Sequence, residues 1–137
     1  MITEKDKMLK GLLYNACDKE LTLERKKARK LLHRLNVLDY GKEKKYVEIL
    51  RELLPNTQSD IWIEPPFYCD YGYNIIAAEK VFFNFNCVVL DVMTVKIGNN
   101  VLFGPKVQVY TATHPINSSE RKKWLESACM RLELYVL

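Results

Sequence analysis

Only two histidines occur in the 137 residues, and one of them stands where a side chain could act on a reacting group. His114 follows the period-two stretch VQVY and the small-residue turn TAT, and Pro115 comes next. Imidazole has an ordinary pKa of about 6.5, so near neutrality it can take a proton from a hydroxyl group. A loop histidine with a purely structural role would have the same local sequence. Asn84 and Asp70 are further candidates. An amide can donate to developing negative charge, and a carboxylate accepts hydrogen bonds from hydroxyls. Their plainer readings are an asparagine stacked in a core and an aspartate in a turn. His33 lies in a basic helical run and reads as a surface residue. The two distant histidines and dispersed acids lack metal-ligand spacing, so no metal site is expected.

Such residues need a frame. Up to Pro55 the pattern is helical. Thr22 reads as an N-cap with Glu24 in the first turn, Ala28, Leu31, Leu32, Leu35 and Leu38 recur at three- and four-residue steps, and Gly41 stops the helix. Tyr46, Ile49, Leu50, Leu53 and Leu54 repeat the pattern, and a shorter amphipathic piece spans Lys7 to Tyr14. The basic run ERKKARKLLHR places its charges opposite the leucine stripe, with no interleaved aromatics and no groove-reading motif. That favours a solvated helix face over nucleic-acid binding.

Beyond Pro55 the texture changes. IWIEPPFYCDYGYNI is aromatic and β-prone, broken by Pro65-Pro66 and Gly72, and reads as strand, turn, strand. A six-residue rhythm follows. Ala77, Phe83, Val89, Ile97, Phe103 and Val109 are spaced by six, with a single step of eight. Four residues after the first five stand Val81, Cys87, Met93, Val101 and Val107. Gly and Asn in IGNNVL and FGPKVQ suit tight turns with positive φ. A short fixed period with apolar positions locked to it marks a β-solenoid, in which three hexads would close one triangular coil. A β-sandwich with chance spacing is the alternative, but five apolar partners at i+4 favour the solenoid.

Apolar residues make up 48% and charged residues 28%, which excludes wholesale disorder, and the net charge of +4 is mild. No apolar run is long enough for a membrane span, and MITEKDKMLKGLL lacks the apolar core of a signal peptide. Cys17, Cys69, Cys87 and Cys129 show no C-x-x-C spacing and read as reduced, buried small residues of a cytoplasmic protein.

The helical start, IWIEPPFYCDYGYNI, FFNFNCVVLD, IGNNVLFGP and YTATHP together resemble the maltose and galactoside O-acetyltransferases, a group of hexapeptide-repeat acyltransferases. The likeness runs in order from about Lys7 to Glu126. It implies a mainly β fold with a helical N-terminus, built as a left-handed parallel β-helix. Residues 1–57 would be the helical segment, 58–126 the partial β-helix with its histidine loop, and 127–137 an off-pattern tail. It also implies acetyl-CoA as co-substrate, a sugar hydroxyl as acceptor, and a homotrimer with active sites between subunits. His114 aligns with the general base. Asn84 aligns with a residue contacting both acceptor and donor, and Asp70 with an acceptor-binding position, while Phe82 and Tyr73 could flank the sugar. Neither a nucleic acid nor a membrane is implied as partner.

The resemblance stops near Trp124, where the family has glycine, and ESACMRLELYVL shows no repeat. The β-helix is therefore expected to be incomplete at its C-terminal end, as a reading-frame shift or early stop would leave it, with a naturally shortened variant as the alternative, and with impaired activity. A non-catalytic remnant or interaction module, and an acyltransferase with another acceptor, are the alternative functions.

Overall fold

The computed structural model describes residues 1–128 and 132–134. Among the described residues four helices, α1 (Glu4–Leu9), α2 (Lys19–Asn36), α3 (Glu43–Leu53) and α4 (Ser118–Arg121), accompany twelve short strands. Nine of the strands make three parallel sheets. The first holds β2 (Trp62–Ile63), β5 (Phe82–Phe83) and β8 (Leu102–Phe103). The second holds β3 (Phe67–Cys69), β6 (Cys87–Leu90) and β9 (Gln108–Tyr110), and the third β4 (Ile75–Ala77), β7 (Val95–Ile97) and β12 (Leu132–Leu134). The chain visits the three sheets in turn, coil after coil, which is a parallel β-helix.

The rhythm carries the core. Ala77, Phe83, Val89, Ile97, Phe103 and Val109 are all buried, and Phe83 stacks on Phe103 with ring centroids 4.2 Å apart. Phe67 meets Phe83 edge-on at 5.4 Å, so one aromatic column runs through three coils.

The coil is longer than three hexads. Trp62, Phe82 and Leu102 stack at a spacing of 20 residues. The two extra residues sit at the corner between the second and third sheets, which is the step of eight in the sequence. Val95 consequently fills the inward position, and Met93 stays partly exposed. The same step occurs one coil earlier, from Cys69 to Ala77, so IWIEPPFYCDYGYNI is itself the first coil. At the other corners Lys80, Asn86, Asn100 and Lys106 take φ near +60°, while Gly98 and Gly104 do not. The turns thus rest on asparagine, as expected at Asn100, and on lysine, while the glycines expected there take no part.

The helical segment closes the open end of the first coil. In the solenoid, N–H groups of one coil donate to carbonyls of the next: Trp62 to Val81 and Glu64 to Phe83. Carbonyls of the first coil need donors from elsewhere. The Tyr46 hydroxyl donates to the Ile63 carbonyl (2.9 Å) and accepts from its N–H (2.7 Å). The Asn36 amide serves Phe67 in the same two ways, and Asn56 Nδ2 donates to the Tyr73 carbonyl. Two sides thus receive a side-chain cap and the corner before β4 a third, while the Gln58 N–H donates to the Ala77 carbonyl on the remaining side.

Asp18, not Thr22, caps α2, accepting from the N–H groups of Glu20 and Leu21. The helix ends at Asn36, so Gly41 (φ +88°) shapes the following loop instead of stopping the helix. The first helix is Glu4–Leu9, earlier than the Lys7 to Tyr14 expected, because Thr3 and Asp6 form a capping box. Lys26, Lys27, Lys30, His33 and Arg34 lie exposed, as a solvated face requires. Cys69 and Cys87 are buried free thiols, Cys17 is exposed contrary to expectation, and Cys129 lies outside the described residues.

Candidate active site

After β9 the chain leaves the repeat. β10 (Ala112–Thr113) pairs antiparallel with β11 (Leu125–Ala128), and β11 pairs on its other edge with β1 (Tyr14–Asn15). His114 follows β10 directly and is exposed, and its imidazole has no hydrogen-bond partner among the described residues. Thr111 fixes the departure point. Its hydroxyl donates to the Leu90 carbonyl (2.7 Å) and accepts from the Met93 N–H (3.0 Å). Leu132–Leu134, within the stretch read as off-pattern, then returns beside β7 in parallel register.

The corner preceding β4 lies beside this small sheet. Asp70 is half-buried, and burial raises its carboxyl above the ordinary range. Arg29 and Arg25 draw the value down, and Glu126 of β11 pushes it up. The Arg25 guanidinium donates to the Tyr71 hydroxyl at 2.7 Å and to the Ala16 carbonyl. The Tyr14 hydroxyl donates to Glu126 at 2.7 Å. The N-terminal segment, the first coil and the excursion after β9 thus meet in one polar cluster. Arg25 and Glu126 were not singled out from the sequence, because nothing in their local pattern separates them from solvated helix and strand residues.

Beneath the cluster Asp91 is fully buried. Its carboxyl accepts from three successive backbone N–H groups, Asp70 (3.0 Å), Tyr71 (2.9 Å) and Gly72 (2.7 Å). Burial pushes its pKa up to about 7 against the pull of those donors. Asn74 Nδ2 donates to the Asp91 carbonyl at 2.8 Å. The sequence did carry a signal for Asp91, since an acid falls in the step of eight where the hexad rhythm breaks.

The structure does not bring all three candidate residues together within one chain. Asp70 and the strand leading to His114 belong to the corner after the second sheet. Asn84 lies at a different corner, between β5 and β6, half-buried, with its Oδ1 accepting from the Phe85 N–H at 2.8 Å. Phe82 is partly exposed beside Asn84 on the first sheet. Tyr73 is held at the Asp70 corner by a hydrogen bond to Glu24 (2.7 Å). Among the described residues no His, Cys, Asp and Glu group could hold a metal ion, and no helix is long and apolar enough to cross a membrane.

Residues 7–58 match the family model described as the maltose acetyltransferase hexapeptide capping motif. Nodulation protein L of Rhizobium meliloti (strain 1021) is 41% identical over 90% of this chain and 68% of its own length. A maltose O-acetyltransferase from Clostridium difficile 630 superposes with a TM-score of 0.88 at 41% identity, covering 92% of this chain and 67% of that one. A galactoside acetyltransferase solved in complex with coenzyme A gives 0.87 at 26% identity, covering 93% and 64%. The chain spans 65% of a Dictyostelium discoideum relative that is 42% identical, and so somewhat less than two thirds of several proteins it matches. With a capping segment, stacked parallel coils and this degree of identity, the chain belongs to the hexapeptide-repeat acetyltransferases, the family of the maltose and galactoside O-acetyltransferases.

Proposed function

We propose that the chain takes part in transferring an acetyl group from acetyl-CoA to a hydroxyl of a sugar of the maltose, glucose or galactoside type, with His114 as general base. The observation that carries this reading is the position of His114. It leaves β10 exposed and without a hydrogen-bond partner among the described residues, at the end of the small sheet whose strand β11 carries the Glu126 that acts on Asp70. A hydroxyl bound at Asp70 would lose its proton to the imidazole as its oxygen attacks the thioester carbonyl. The imidazolium then returns the proton to the departing thiolate. Such a base contributes about 10²–10⁴-fold in rate.

Asn84, at the neighbouring corner, fits this chemistry as the amide that donates to the developing oxyanion and contacts both substrates. Because it stands on another corner from Asp70, one site holding both would draw Asn84 from an adjacent copy. That supports a homotrimer with sites between subunits, and the left-handed winding proposed for the coils rests on membership of the family. The cytoplasm, where acetyl-CoA is made available and thiols stay reduced, suits the free cysteines.

The test is acetyl transfer from acetyl-CoA to maltose by the purified chain and by His114→Ala, alongside the sedimentation mass. Turnover by a trimer that falls about 10²-fold or more in the variant supports the reading. Equal rates refute His114 as base. Binding of another acceptor in place of maltose would move the substrate class, and no turnover in either form would favour a non-catalytic interaction module.

A further inference from the structure

We propose that Asp91 is the positioning residue of the acceptor corner, holding the Asp70–Gly72 backbone so that the Asp70 carboxyl is presented to a sugar hydroxyl. The proposal rests on the reading of Asp70 as an acceptor contact, and no catalytic step is assigned to Asp91. Three observations converge. The Asp91 carboxyl receives three consecutive N–H groups and has no solvent exposure. The loop it holds lies between β3 and β4, outside the strand ladder, at the corner where two residues are added to the hexad. The same loop is pinned from above, where Gly72 packs so closely against α3 that an added Cβ would stand 2.1 Å from the Leu53 carbonyl oxygen. Asp70 therefore projects from a segment fixed on two sides, and only the lower fixation is made by hydrogen bonds to a side chain.

The arrangement distinguishes Asp91 from a generic buried acid. Oδ1 takes the Asp70 and Tyr71 N–H groups, and Oδ2 takes that of Gly72. In Asp91→Asn, one amide oxygen can keep two of these bonds, while the amide NH2 is left opposing the third donor. Tyr71 is carried on the same clamp, and its hydroxyl holds the Arg25 guanidinium beside Asp70. One carboxyl thus sets the place of both the acid and one of the two cations, Arg25 and Arg29, that act on it. Asp70 itself has no side-chain partner among the described residues that would fix it in another way.

Hydrogen exchange of the Asp70, Tyr71 and Gly72 amides, read by NMR on the purified chain, tests the clamp, and a maltose titration followed on the same resonances tests its purpose. In the wild type these three amides should exchange as slowly as those of the sheets. At pH 8, where the Asp91 carboxyl is ionised, the amides in Asp91→Asn should exchange about tenfold faster or more than in the wild type, the effect of losing one charge-assisted bond. Maltose affinity should fall by a similar factor, about tenfold, with helical amides unchanged. Asp70→Asn combined with Asp91→Asn should bind no more weakly than Asp70→Asn alone, an effect that general loss of stability would not give. Fast exchange in the wild type overturns the clamp without any variant having to fold. Unchanged affinity in Asp91→Asn, or additive losses in the double variant, overturns the positioning role. Slow exchange with no maltose binding by the wild type instead refutes the acceptor reading on which the proposal rests.

Discussion

Replacing Gly72 by alanine tests how tightly the helical cap and the solenoid are joined. Two penalties coincide at this position. Its φ of +84° lies in the left-handed region, which costs a residue with a Cβ about 1–2 kcal/mol. The new methyl would also sit 2.1 Å from the Leu53 carbonyl oxygen and 3.1 Å from its carbon, atoms of backbone at the end of α3. Backbone cannot rotate away as a side-chain tip can, so the last turn of α3 must shift, carrying the buried Leu53 and Leu54 with it. Overpacking of that kind costs about 1–3 kcal/mol, giving a total of about 3 kcal/mol. Two other glycines separate the terms. Gly41 has φ +88° with nothing within 4 Å of an added Cβ, so Gly41→Ala should lose only the conformational part. Gly104 lies outside the left-handed region and also meets nothing, so Gly104→Ala should be close to neutral. Urea unfolding of the three variants measures the differences through their midpoints. A Gly72→Ala variant no less stable than Gly41→Ala would show that α3 does not press on the corner as described.

Tyr46→Phe should destabilise the chain by about 1–3 kcal/mol, because the Ile63 N–H and carbonyl both lose their partner at a buried coil edge; thermal or urea unfolding reads this, and a neutral result would mean that other groups cap the first side. A pH effect should come from Asp91. Its ordinary carboxyl value is 3.8 and its folded value about 7, so between these the unfolded chain is ionised while the folded chain keeps the proton. Asp91's contribution is therefore complete below about pH 4 and lost as pH rises through about 7. Comparing wild type with Asp91→Asn by urea unfolding from pH 4 to 8 isolates it. A wild type that gains on the variant as pH rises would contradict the sign.

Much of the architecture was legible before folding was considered. The hexad positions are a local record of which side chains point inward, since a short strand and a corner repeat every six residues whatever lies around them. The burial of Phe83, Phe103 and Val109 follows from that rhythm. The helices were legible from their apolar stripes for the same reason, although their caps were misplaced. Thr22 has the right chemistry for a cap, but Asp18 lies where the chain enters from β1. His114 could be singled out because its residue type limits the chemistry available.

What the sequence alone could not give is what joins distant segments. The caps at Asn36, Tyr46 and Asn56 serve coil carbonyls 17 to 31 residues away, and no local pattern marks a side chain as the partner of so remote a backbone group. Nor does anything in LDVMT announce that Asp91 will gather the amides of Asp70, Tyr71 and Gly72, because that contact exists only once one coil has stacked on the next. By itself the sequence determined the repeat, its apolar face and a histidine able to act as a base. The tertiary structure alone decided that Asp70 and the His114 strand share a corner while Asn84 stands at another. The physical reason is that hydrogen bonds between coils, and two residues added at one corner, fix which loops meet, and neither is a property of any single stretch of chain.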